Sequence, residues 1–120
     1  MVIHHLEWAL IFFGLAALVG LYMLSRVFKK KPRQNSAMLL HGLFAGFAIG
    51  ILFYFSAQET NSEIPYASIF FFIVAIFGGA FMATWDKIMN REMPRYFPLL
   101  HASAAVTGIV LLILFVIKHN

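Results

Sequence analysis

Four apolar runs, at residues 6–24, 37–55, 67–85 and 97–117, alternate with three short polar segments along the chain. Each run approaches the ~20 residues that a helix needs to cross the hydrocarbon of a bilayer. No proline lies in the interior of a run. Inside lipid every backbone amide must be paired within its own segment, so runs of this kind are read as helices. The segments that join them (26–36, 56–66 and 86–96) are short. Short links make successive helices antiparallel neighbours. The expected fold is therefore an all-α integral membrane protein, an antiparallel up-down-up-down bundle of four transmembrane helices. It forms a single domain over residues 1–120, built as two tandem helical hairpins at about 6–55 and 67–117.

Composition strengthens this reading. Of 120 residues, 62% are hydrophobic and only 12% charged. A water-soluble domain of this size has too little interior to hide that much apolar surface. The absence of cysteine excludes disulfides, thiolate metal sites, iron–sulfur clusters and thioether-linked haem.

Charge gives the expected orientation. Arg26, Lys29, Lys30, Lys31 and Arg33 lie in the first connection, and Lys87, Arg91 and Arg95 in the third. Only Lys118 of the nine Lys and Arg residues lies elsewhere, and the middle connection carries Glu59 and Glu63 instead. The positive-inside rule then places the first and third connections in the cytoplasm and both termini outside, periplasmic if the membrane is a bacterial inner membrane. Trp8, Tyr66, Trp85 and Tyr96 lie near run ends, as interfacial aromatics should. The N-terminal run is read as a retained span rather than a signal peptide. It is long, no Lys or Arg precedes it, and the basic cluster follows it.

The second and fourth runs repeat one another. His41 and His101 stand 60 residues apart. At that offset Leu39, Leu40, Ala45, Ile49, Leu52 and Phe55 meet identical residues at Leu99, Leu100, Ala105, Ile109, Leu112 and Phe115. Beyond the histidine the matches fall at i+4, i+8, i+11 and i+14, along one stripe of a helix. In the first and third runs the same offset matches only Phe12 with Phe72. The pattern reads as a duplicated hairpin whose shared face carries the histidine.

Both histidines lie four residues past the start of their runs, about 6 Å inside the cytoplasmic end at the helical rise. Helices two and four of an up-down-up-down bundle are diagonal partners. With adjacent axes ~8–10 Å apart, their diagonal is roughly 12–14 Å. That gap suits a planar ligand clasped by an imidazole from each side, which is how haem b is held. Small residues follow each histidine at i+4 and i+7, Ala45 and Ala48 in one helix and Ala105 and Gly108 in the other. They are expected to line a trough for the macrocycle. Phe44, Phe72 and Phe77 are candidates to wall it. Arg33 and Arg95, the basic residues that most closely precede the two histidine-bearing spans, are expected to receive its propionates.

In this design, with histidines of paired helices clasping a haem, the sequence resembles membrane b-type cytochromes over its histidine-bearing helices. Dihaem four-helix proteins of the cytochrome b561 type carry a second histidine pair near the other surface, which this chain lacks. The resemblance thus implies one haem, with His41 and His101 as axial iron ligands, and electron transfer rather than stand-alone catalysis. It implies a quinone or a redox protein as partner, or a place in a larger respiratory or oxidoreductase complex, besides membrane lipid.

Other readings compete. A histidine in a membrane helix also serves by bonding a backbone carbonyl, and Gly42, Gly46 and Gly50 form the small-residue ridge common where such helices pack. A cofactor-free accessory or assembly subunit, or a homo-oligomer, fits the uniformly apolar outer faces. A copper-handling protein would use the histidines with Met23, Met38, Met82, Met89 and Met93, which lack a repeated spacing. His4, His5, His119 and Glu7 would meet at the outer surface as a minor metal site. No acid lies near the middle of a span, and no span is broken there. Both features argue against a proton-coupled transporter. Ser103 stands at i+2 from His101 and faces elsewhere, so no hydrolytic constellation forms. The basic connections are the accompaniment of membrane topology and do not indicate nucleic-acid binding.

Overall fold

The computed structural model describes residues 3–58, 63–89 and 91–119. Helices α1 (Ile3–Phe28), α2 (Asn35–Gln58), α3 (Tyr66–Ala83), the single turn α4 (Trp85–Ile88) and α5 (Tyr96–Lys118) follow one another, with no strand among the described residues. The four long helices coincide with the four apolar runs, and each is long and apolar enough to span a membrane. Together they point to a multi-pass membrane protein.

Local chemistry sets the helix ends. At the end of α1, Lys30 takes a left-handed φ of 57°. Its amide bonds the Val27 carbonyl, and the Lys31 amide bonds the Arg26 carbonyl. This is a Schellman closure, with lysine where glycine is usual. The Arg26 guanidinium reaches forward to the Pro32 carbonyl through Nε at 3.1 Å and Nη2 at 2.7 Å, which ties the connection to the helix it leaves. Pro65 precedes α3, and Pro98 sits in the first turn of α5, where its missing amide costs nothing. Between α3 and α5 the chain is pinned by buried Trp85. Its indole nitrogen donates to the Arg91 carbonyl at 2.7 Å, and its ring meets Phe81 and Phe97 edge-on.

α1 packs along α2, α3 packs along α5, and α1 also rests on α5. The molecule measures 48 × 21 × 19 Å, a cross-section two helices wide. Its core is thin: Leu6, Ala9, Phe13, Ala48, Leu52, Phe55, Phe72 and Leu112 form the buried cluster. At its centre the rings of Phe13 and Phe72 stack with centroids 4.0 Å apart. Phe72 fits against α5 only because residue 108 is glycine, since a Cβ there would stand 2.8 Å from a ring carbon. The Ser68 hydroxyl, also buried, donates to the Gly108 carbonyl at 2.8 Å. The outside is as apolar as the inside. Leu18, Leu39, Phe77 and Ile117 are all about two-thirds exposed.

Candidate functional site

The two imidazoles meet. His41, six residues into α2, and His101, five into α5, approach until their ring centroids are 6.1 Å apart with the planes steeply inclined. Each histidine lies against the first helix of its own hairpin. Nδ1 of His41 is 2.8 Å from the Ala16 carbonyl of α1. A carbonyl only accepts, so Nδ1 carries the proton, and in the neutral ring Nε2 keeps a free lone pair. The ring passes over Gly20, where a Cβ would come within 3.1 Å of Cε1. His101 lies in the same way over Gly79 of α3, where a Cβ would come within 3.2 Å of its Cε1, with Gly78 alongside. Its Nδ1 is buried without a hydrogen-bond partner, and the Ala75 backbone lies beside the ring.

These contacts correct the register of the repeat. Ala16 corresponds to Ala75 and Gly20 to Gly79, an offset of 59 rather than 60. At 59 the first helices of the hairpins share Phe12 with Phe71, Phe13 with Phe72, and Met23 with Met82 as well. The match of Phe12 with Phe72 was one residue out of register. The second hairpin's connection is longer by one residue, and a single offset cannot follow both halves of the repeat. In the corrected register each hairpin carries two adjacent phenylalanines, an alanine, a glycine and a methionine on its first helix, and Leu-Leu-His with a following alanine on its second.

The other expected site residues fall in different places. Ala45 and Ala105 are half-buried one turn below the histidines. Ala48 and Gly108 are buried a further turn down, Ala48 within the Phe13–Phe72 cluster and Gly108 under the Phe72 ring. The space at Gly108 is thus taken up by Phe72. Space beside the imidazoles comes instead from Gly20, Gly78 and Gly79 on the opposing helices. Of the aromatic candidates, Phe72 is stacked on Phe13 in the core, Phe44 pairs with Phe12, and Phe77 is 72% exposed. Arg33 reaches the Met82 carbonyl at the end of α3 at 3.5 Å. Arg95 is exposed immediately before α5. Both stand at the end of the molecule nearer the histidines.

The separation of the two rings bears on what they can hold. Two metal–nitrogen bonds of about 2 Å each, with half an imidazole beyond each nitrogen, bring ring centroids to roughly 6 Å for a metal held between them. The donor set is two imidazoles, one with its Nδ1 already committed to a carbonyl and the other with a buried, unsatisfied Nδ1. With Nδ1 of His41 bonded to a carbonyl, Nε2 is the nitrogen that this ring has left to offer a metal.

At the opposite end of α5, His119 is held at both nitrogens, Nδ1 by the Phe115 carbonyl at 2.9 Å and Nε2 by the Glu63 carboxylate at 2.7 Å. Burial aside, both contacts favour the protonated ring, and they raise its pKa above the ordinary histidine value, the Phe115 carbonyl contributing most. His5 packs edge-on against Tyr54, while the side chain of His4 lies outside the described residues. Among the described residues no three His, Asp or Glu side chains converge as a metal site. Neither a known protein family, nor a curated protein, nor a solved structure matches the chain.

Proposed function

We propose that this chain is a small b-type membrane cytochrome that binds one haem b between His41 and His101 and carries single electrons. The observation that carries the reading is the imidazole pair. Two histidines from different hairpins, 60 residues apart at matching places in their helices, bring their ring centroids to 6.1 Å. His41 and His101 would hold the haem, which when bound would supply one-electron redox chemistry. The Ala16 carbonyl keeps the proton of His41 on Nδ1, which presents the lone pair of Nε2 to the iron. The Phe13–Phe72 stack closes the core below and excludes water from that side. Arg33 and Arg95 offer guanidinium groups to carboxylates at the nearer surface.

In the same proposal the helices form an up-down-up-down bundle that crosses the bilayer four times as a duplicated hairpin. The basic connections are cytoplasmic, both termini are outside, and the haem lies nearer the cytoplasmic face. Lipid covers the exposed Leu, Phe and Ile side chains, and the electron partner is a quinone, a redox protein or a larger membrane complex.

The deciding measurement is a reduced-minus-oxidised optical spectrum of protein produced with ample haem. A shifted Soret band with sharp α and β bands is expected. A flat spectrum sinks the cytochrome. His41→Ala and His101→Ala should each abolish the six-coordinate spectrum, and the axial assignment fails if either variant keeps it.

A second reading has one observation in its favour. In the corrected register Met23 and Met82 are equivalent, each one turn beyond the glycine that holds a histidine, so two imidazoles and two thioethers are related by the repeat. Such a set suits copper. Metal analysis of purified protein separates the readings. Copper without haem supports the second, and a protein with neither is the cofactor-free subunit.

A further inference from the structure

The first helix of each hairpin supplies no ligand in the proposed site, yet it carries the feature that most constrains the ligands. In α1 the Ala16 carbonyl and the bare backbone of Gly20 stand four residues apart, one helical turn, on the face that meets His41. In α3 the same pair recurs as Ala75 and Gly79 against His101. The glycines are in tight contact with the rings, whereas Gly14, Gly42, Gly46 and Gly50 have nothing within 4 Å of a notional Cβ. A methyl group at position 20 or 79 would press on Cε1, the carbon between the two ring nitrogens. That contact fixes both how deeply the ring sits and how it is turned. A turn of a few degrees re-aims Nε2 and lengthens the bond from Nδ1 to the carbonyl.

We infer that Gly20 with the Ala16 carbonyl, and Gly79 with the Ala75 carbonyl, are two equivalent notches that orient the axial imidazoles. The Ala16 carbonyl sets the Nδ1–H tautomer of His41, and the two glycines limit the rotation of both rings. All four are positioning elements, acting on the haem only through the histidines. The inference rests on the cytochrome reading for its consequence, but the notch is a property of the protein without haem. The two notches differ in one respect. His41 already makes its carbonyl bond, while Nδ1 of His101 is unpaired and has a second glycine, Gly78, beside it.

The test compares Gly20→Ala and Gly79→Ala with Gly46→Ala, an exposed site with open space. In haem-loaded protein, Gly20→Ala and Gly79→Ala are expected to shift the low-spin electron paramagnetic resonance signal, which reports the relative rotation of the two imidazole planes. They should weaken haem binding by about tenfold to a hundredfold, the usual cost of disturbing a group behind a metal ligand. Gly46→Ala should leave both unchanged. Wild-type resonance and affinity in both notch variants overturn the inference even if the cytochrome reading stands. If the wild type takes up no haem, the cytochrome reading fails and the notch is still decided by nitrogen NMR of the ligand-free protein. His41 should show the Nδ1–H tautomer, and Gly20→Ala should shift its ring signals. An Nε2–H tautomer in the wild type, which needs no variant to fold, overturns the notch.

Discussion

At the scale of single residues, the same side chain takes opposite roles at the two ends of α5. His101 lies among glycines with an unpaired Nδ1, while His119 has both nitrogens occupied by acceptors. Two acceptors require two ring protons, so the imidazolium form is the one that satisfies the Phe115 carbonyl and Glu63 together. The tether that His119 makes between α5 and the α2–α3 connection is thus complete below the ordinary histidine range. It is lost as pH rises through the elevated pKa of the folded state. In a proton NMR titration the ring of His119 should titrate above 6.5, the ordinary value, and Glu63→Gln should lower that midpoint. A midpoint unmoved by Glu63→Gln would leave Phe115 as the sole cause.

At the scale of helices, packing depends on a few positions where one element enters another. Gly108 is the tightest of these. A Cβ there meets three atoms of the Phe72 ring at 2.8, 3.0 and 3.1 Å, and Phe72 is itself stacked on Phe13, so it has no free direction in which to move. Gly108→Ala is expected to destabilise the protein by about 1–3 kcal/mol, the usual cost of overpacking a well-filled site. Thermal unfolding in detergent would measure it, and an unchanged midpoint would mean that Phe72 has another rotamer available. The hairpins themselves were legible from hydropathy, because each run is continuous and each connection short. Their correspondence was legible only in α2 and α5. The segment between Gly79 and His101 is one residue longer than that between Gly20 and His41, so an offset of 60 finds one identity between α1 and α3 where an offset of 59 finds five. Phe12, Phe13, Ala16, Gly20 and Met23 had been visible throughout; the pairing of Ala16 with His41 was needed to choose the frame.

At the scale of the whole molecule, the thin core and apolar exterior make sense only with a second apolar medium around the helices. Large side chains such as Leu18 and Phe77 are mostly exposed, which water would penalise and lipid would not. The asymmetry of charge gives the expected direction of insertion. Because the chain has no cysteine, single-cysteine variants report topology cleanly. A membrane-impermeant maleimide added to intact cells should label Glu63→Cys and leave Lys31→Cys unlabelled until the membrane is permeabilised. The reverse pattern would invert the orientation and place the histidine pair near the outer face.

The sequence by itself determined the four long helices and the place of the two histidines near one end of α2 and α5, because these follow from hydropathy along one dimension. It also marked Arg33 and Arg95 as the basic residues that most closely precede the histidine-bearing helices. Tertiary structure decided what lies across from each histidine. Which glycine receives a ring, which carbonyl takes its proton and which small residue is filled by a phenylalanine depend on how two helices are rotated about their axes. That rotation is set by side chains interlocking between helices. For this reason the trough expected at Ala48 and Gly108 became part of the core, and the cradle of the imidazoles is found at Gly20 and Gly79.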